Sequence, residues 1–204
     1  MVSAANVSTK PRRLPLPTIP VYRFTVEQYH RMIEQGILTE HDRVELLEGW
    51  IAPKMTHNPP HDCSVLLGQT ELLSRLSADW IVRVQSAITT RDSEPEPDLV
   101  MARGPARRYA RAHPKQDDIA LLIEVADSTL EDDRLEKARL YARARIAMYW
   151  IINLIDLQVE VYTVPKTGRS PAYRQRRDYS IKDSIPLLIE GQNFGLISVR
   201  DLLP

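Results

Sequence analysis

The sequence predicts an α/β (α+β) fold in one domain, and three observations carry that reading. Ile119 to Val125 is an almost unbroken apolar run of the kind buried on both faces of a sheet. Ser128 to about Arg145 is rich in alanine, leucine and arginine without glycine or proline, and Ser128 with Glu131 has capping-box spacing, so a helix follows that strand. Further strand-like segments lie on either side of this pair and would complete a core sheet.

Taken in order, Pro11, Pro15, Pro17 and Pro20 favour extended backbone with little to bury, so residues 1–20 read as a flexible arm and residues 21–204 as the domain. Thr25 with Gln28 forms a second capping-box spacing, and Gly36 sits where a helix would stop, which predicts a helix from about Thr25 to Gln35. Val44 to Ile51, interrupted near Gly49, reads as a strand or hairpin, and Met55 to Pro60 as a loop ending at His61. Val65, Leu66, Leu72, Leu73 and Leu76 then recur at near-helical spacing. Strands are expected over Trp80–Thr90, Asp98–Ala102, Ile119–Ala126, Met148–Leu154 and Leu157–Val164, followed by short strands and a small C-terminal element.

Composition narrows the function classes. Among 204 residues, 43% are hydrophobic and 26% charged, which excludes collagen-like, disulfide-scaffold and wholly disordered chains. Lys plus Arg and Asp plus Glu each total 27, so no overall field draws the chain to nucleic acid or an anionic membrane, and such binding falls to local patches. The one cysteine, Cys63, can form no intrachain disulfide and no thiolate zinc cluster, which points to a reducing, cytoplasmic compartment. The longest apolar runs fall short of the roughly 20 residues that span a bilayer, and no apolar segment of signal-peptide type follows Lys10, Arg12 and Arg13.

Glu124 carries the most information, because it interrupts a strand that is otherwise apolar. An unpaired carboxylate there would cost several kcal/mol or take up a proton, so a cation, an arginine or a metal ion should lie within reach. A buried salt bridge satisfies that requirement as well as a functional site does. Asp98 opens the preceding strand; if the two strands pair antiparallel, the carboxylates converge and attract a divalent ion of magnesium or manganese type. Asp98 alone reads equally as a strand-entry turn residue. Lys137, four residues after Asp133, has the spacing of a solvated helical ion pair; it reaches the acidic pair only if its helix crosses over the strand ends.

Other residues carry weaker signals. His57 and His61 are separated by Pro59 and Pro60, so the two rings cannot share one regular helical face, and His61 reads as a helix-entry or pocket-wall residue. Cys63 reads as a core cysteine. The connection holding Arg103, Arg107, Arg108, Tyr109, Arg111 and Lys115 is either a phosphate-binding loop with a base-stacking tyrosine or a solvated loop. Arg174, Arg176 and Arg177 read as the exposed face of an edge strand.

An ordered set of segments resembles the Uma-two family, whose members are classed with restriction endonucleases. The set runs through Arg43–Gly49, His61, Glu94–Leu99 and Leu122–Val125, then Asp133, Lys137, Tyr141–Ala142, Tyr149–Ile152 and Val159–Tyr162. The resemblance covers about Phe24 to Val164 and implies a PD-(D/E)XK nuclease-like fold, a mixed sheet flanked by helices, with a metal-dependent phosphodiester-cleaving site. Asp98 and Glu124 match its acidic pair. Glu45 matches its early-strand glutamate, although a surface strand carboxylate is the alternative reading. Ala126 stands where the wider superfamily has lysine, which leaves that role to Lys137.

The expected function is therefore a Mg2+- or Mn2+-dependent DNA endonuclease, possible in homodimeric form. Asp98 and Glu124 would hold the metal with the Val125 carbonyl, Glu45 would assist and Lys137 would position the attacking water. The competing expectation, motivated by Ala126 and the zero net charge, is a catalytically inactive nucleic-acid-binding or interaction module on the same fold. A hydrolase using paired carboxylates on another substrate ranks last, since no carbohydrate-binding aromatic cluster is evident.

Overall fold

Strand pairing decides where the catalytic candidates meet. The computed structural model describes residues 19–204; most of the arm expected over 1–20 lies outside the described residues. Five strands that follow the second helix, β3 (Trp80–Val84), β4 (Leu99–Arg103), β5 (Ile119–Ala126), β6 (Met148–Asn153) and β7 (Gln158–Lys166), join β8 (Ala172–Ser180) in one sheet of order β3-β4-β5-β6-β7-β8. Only β5 and β6 pair in parallel, and the other neighbours run antiparallel. The sheet is mixed, flanked by helices, and contained in a single domain.

Side-chain alternation along β5 separates two apolar layers. Leu121, Ile123 and Val125 join Val65 and Leu72 of α2 (Pro59–Leu73) and residues of the C-terminal hairpin β9 (Ser184–Ile189) and β10 (Gln192–Ser198). Leu122 and Ala126 instead pack with Ala138, Leu140 and Tyr141 of the helical segment that follows β5. That segment comprises α3 (Leu130–Asp132), a π-helical turn over Asp133–Lys137 and α4 (Ala138–Arg143). Glu124 therefore points to the layer covered by α4.

At the N-terminal side, α1 (Val26–Glu34) has the expected capping box, with Thr25 and Gln28 exchanging side-chain to backbone hydrogen bonds. β1 (Val44–Leu47) and β2 (Trp50–Pro53) form a hairpin whose two-residue turn, Glu48 and Gly49, holds φ values of 50° and 83°. Positive φ at both positions matches the twist of paired strands. Arg139 of α4 grips the Glu48 carboxylate at 2.7 and 2.6 Å, and Ser93 Oγ accepts from the Glu48 amide at 2.8 Å, so the hairpin is held against the rest of the domain.

Three expectations are corrected. The strand expected over Trp80–Thr90 ends at Val84, because Gln85 takes a left-handed φ of 43° and the chain then carries Ile88 into the α4-side core. Ser128 and Glu131 do not form a capping box: the Ser128 hydroxyl donates to Asp127 at 3.0 Å, and Glu131 pairs with Arg134. Cys63 is exposed, because α2 buries the face made by His61, Ser64, Val65, Gly68 and Leu72. Leu66 and Leu73 are exposed on that helix for the same reason. Arg174, Arg176 and Arg177 do lie on the edge strand β8, where Arg176 pairs with Asp178. No helix among the described residues is long and apolar enough to cross a membrane.

Two features of the scaffold give measurable consequences. A Cβ on Gly68 would come within 2.7 Å of Leu99 Cδ1, so Gly68 sets how closely α2 approaches the sheet. Gly68→Val is expected to destabilise the fold by about 2 kcal/mol through overpacking, measured by urea unfolding. Glu160, fully buried on β7, accepts from Arg134 at 3.1 Å, Tyr162 at 2.7 Å and Asn153 at 3.0 Å. Burial opposes its ionisation, but these bonds and the Arg176 charge hold its carboxyl below the usual value of 4.5. Its contribution is thus present above pH 4.5 and is lost as pH falls through the depressed folded value. Unfolding of Glu160→Gln beside the parent chain should show a deficit of about 3 kcal/mol at neutral pH that shrinks toward zero in acid.

Candidate metal centre

Leu99 pairs with Ile123 across β4 and β5, so the antiparallel register sets Asp98 beside the end of β5 that carries Glu124. Asp98 Oδ2 accepts from the Val125 amide at 2.9 Å, fixing the aspartate at the strand end. From the opposite side, Lys137 Nζ and the Tyr141 hydroxyl donate to Glu124 Oε1 at 2.8 and 2.6 Å. The helix after β5 does cross over the strand ends. Its π-helical turn contains Lys137 and widens the helix where the ammonium must reach inward.

Of the two readings of Lys137, the structure shows the one in which its helix crosses the strand ends, and not the Asp133–Lys137 ion pair on a solvated helix face. Lys137 turns into the interior toward Glu124, and Asp133 is buried, accepting from Thr129 Oγ1 at 2.7 Å. Glu45, on β1, is buried and accepts from the Glu96 amide at 3.1 Å. Its charge acts on both Lys137 and Tyr141, so the early-strand carboxylate belongs to the same neighbourhood. Val125 contributes its amide to Asp98.

Electrostatically the site is short of positive charge. Burial disfavours the Lys137 ammonium, but Glu124, Glu45 and Asp133 outweigh it and raise its pKa well above the ordinary value, so the lysine keeps its proton. Burial also opposes ionisation of Asp98, yet the His61 hydrogen bond and charge, the Val125 amide and Lys137 hold its carboxyl low. Glu124 is the group left under-neutralised: burial pushes it upward against Lys137, and the charges of Asp98 and Asp133 add to the rise. Four buried carboxylates, Glu45, Asp98, Glu124 and Asp133, face one lysine and the His61 imidazole beside Asp98. Oxygen donors in excess over local cations are what a hard divalent ion requires, so the donor set fits such an ion.

The structure also brings together residues that helical periodicity separated. His57, in the loop before α2, stacks on His61 with ring centroids 4.1 Å apart, and His61 Nε2 lies 3.2 Å from Asp98 Oδ2. Pro59 and Pro60 are the first two residues of α2 and Asn58 before them is extended, so His57 reaches the His61 ring from outside the helix and not from one helical face. Gln85 was not singled out by the sequence, yet its carboxamide bridges His57 Nδ1 at 2.9 Å and Asp98 Oδ1 at 3.4 Å.

The basic loop lies elsewhere. Arg103 is at the opposite end of β4 from Asp98, roughly 16 Å away at the rise of an extended strand, and it pairs with Glu190 while covering Trp80. Arg108 pairs with Asp118 at 2.6 Å, and the Tyr109 ring faces Arg83 and Arg108. Arg107 and Arg111 are exposed and without an ion pair among the described residues.

A mixed sheet with acidic residues at adjoining strand ends and a lysine reaching them from the next helix defines a restriction-endonuclease-like architecture. Residues 26–194 match the Uma2 family, described as "Putative restriction endonuclease", and the chain belongs to that family. Among solved structures, a chain described as a "putative nuclease" from Anabaena variabilis aligns with a TM-score of 0.63 at 14% identity. The alignment covers 88% of this chain and 97% of that one, and the likeness is one of fold. No curated protein matches the chain significantly in sequence.

Tyr141→Phe removes one donor from Glu124 while keeping the ring. It should cost about 1.5–3 kcal/mol, as expected for a hydrogen bond to a charged group, read by urea unfolding.

Proposed function

We propose that this chain is a divalent-metal-dependent endonuclease that hydrolyses DNA phosphodiester bonds. The observation that carries the reading is the convergence of Asp98, Glu124 and Lys137 at one end of the buried strands β4 and β5, with Lys137 Nζ 2.8 Å from Glu124 Oε1. Asp98 and Glu124 would hold the ion, with the Val125 carbonyl as backbone ligand and Glu45 as auxiliary carboxylate. When bound, a Mg2+ or Mn2+ ion supplies charge for the phosphoryl oxygens and acidifies water.

The chain's own residues define the remaining work. Lys137 keeps its proton, so it acts as a donor that orients the attacking water and offsets charge developing on the phosphoryl group, and it does not serve as the general base. Tyr141 holds the Glu124 carboxylate in position through Oε1. Arg107 and Arg111 would contact phosphates away from the cut, a sequence-independent role suited to exposed cations. Cutting both strands calls for two such sites, which a two-fold homodimer provides.

The test is cleavage of plasmid, linear and single-stranded DNA by pure protein with Mg2+ or Mn2+. Glu124→Ala and Asp98→Ala should each reduce the rate by a factor on the order of 100 or more, as should Lys137→Ala. Cleavage indifferent to the two carboxylate substitutions overturns the reading. Salt-sensitive DNA association that survives Glu124→Ala, with no cleavage by the parent chain, would instead mark a binding module.

A further inference from the structure

We propose that His57, His61 and Asp98 form a binding site for an imidazole-accepting divalent cation of the manganese-to-zinc series, adjoining the Glu124–Lys137 pair and sharing Asp98 with it. Each of the three residues can bring one ligand atom to within 4.8 Å of the others. The site rests on the nuclease reading for its link to catalysis, and on its own residues for binding.

The chemistry of the contacts favours an ion. His61 Nε2 and Asp98 Oδ2 face each other at 3.2 Å, and both are strong ligand atoms that need a proton or a cation between them. Atoms bound to one ion at about 2.1 Å stand roughly 3 Å apart when adjacent in its shell, close to this separation. The stacked His57 ring is 30% exposed and can turn to bring a nitrogen inward, whereas His61 is 8% exposed and stays fixed.

Outer partners suited to a metal-bound imidazole are already in place. His61 Nδ1 is buried with no hydrogen-bond partner among the described residues, and Asp62 Oδ1 lies 3.6 Å from it. A small rotation of the exposed Asp62 would let it accept that N–H, leaving the Nε2 lone pair directed at Asp98. This is the carboxylate–histidine–metal arrangement that orients many imidazole ligands. Gln85 steadies both His57 and Asp98, and Asn58 anchors the turn by accepting from the His61 amide at 3.1 Å and donating to Asp127 at 2.6 Å.

Two nitrogens and one carboxylate select against magnesium, which prefers an all-oxygen shell, and toward ions that accept imidazole. The consequence for the proposed enzyme is a preference set by His57 and His61: one cation position would take Mn2+, Co2+, Ni2+ or Zn2+ in preference to Mg2+.

The experiment titrates Co2+ into the full chain, followed by calorimetry and visible absorption, for the parent protein, His57→Ala and Glu124→Gln. His57→Ala should weaken one Co2+ site tenfold or more, Glu124→Gln should retain that site, and millimolar Mg2+ should fail to displace the ion. Pulsed EPR of the Mn2+-loaded parent protein should show imidazole nitrogen coupling, a readout that needs no variant to fold. Unchanged Co2+ affinity in His57→Ala, full displacement by Mg2+, or absence of nitrogen coupling each overturns the site. Loss of cleavage in every sample with the Co2+ results as expected would overturn the nuclease reading alone. Glu124-dependent cleavage with Co2+ affinity indifferent to His57 would overturn this site alone.

Discussion

The cost of keeping the Glu124 carboxylate out of water organises this end of the molecule. It lies on a strand whose eight residues are all buried, so water cannot solvate it and the protein must supply every partner. Lys137 and Tyr141 approach from one helix, and the antiparallel neighbour places Asp98 alongside. The Lys137 ammonium and the His61 imidazole beside Asp98 do not neutralise this many carboxylates. The resulting deficit is a driving force for taking up a cation, since an ion relieves repulsion that the folded chain would otherwise carry alone.

That arrangement depends on parts far from it in sequence. The β1–β2 hairpin brings Glu45 inward, and its position is fixed by Arg139 and Arg143 on Glu48 and by the Glu94 amide donating to the Leu46 carbonyl at 2.7 Å. Gly68 lets α2 lie against Leu99, which sets the height at which His61 meets Asp98. Because α2 and the hairpin approach the same strand end from different layers, a shift in either would alter the spacing among the acidic groups.

Much of this was legible in the sequence, for identifiable reasons. Ile119–Ala126 could be read to its ends because an unbroken apolar run has one comfortable place, the middle of a sheet. The meeting of Asp98 and Glu124 followed from antiparallel pairing, where the start of one strand must lie beside the end of the next. The reach of Lys137 was not legible: regular helical spacing suggested a surface pair with Asp133, and the π-helical turn is a tertiary adjustment with no pattern of its own. His57 and His61 were set apart by the intervening prolines, since periodicity describes a continuous helix and says nothing about a loop folding back onto its first turn. Cys63 was misplaced because one cysteine in a helix carries no phase information until the buried face is known.

The departure at position 126 can be understood in the same terms. Ala126 is completely buried, sits beside Asn153 in the parallel pairing and packs with Leu130 and Ala138 in the α4-side core. A lysine there would have to thread its chain through that core to bring an ammonium to Glu124. Lys137 delivers the same charge to the same oxygen from the helix, with its aliphatic stem covered by the layer it crosses. On the proposed reading the site uses a protonated amine held at the carboxylate, and the helix supplies it here while a small residue at 126 lets the packing around the strand close. The small residue at 126 and the inward-turned lysine at 137 are thus two halves of one solution, and neither can be judged without the other.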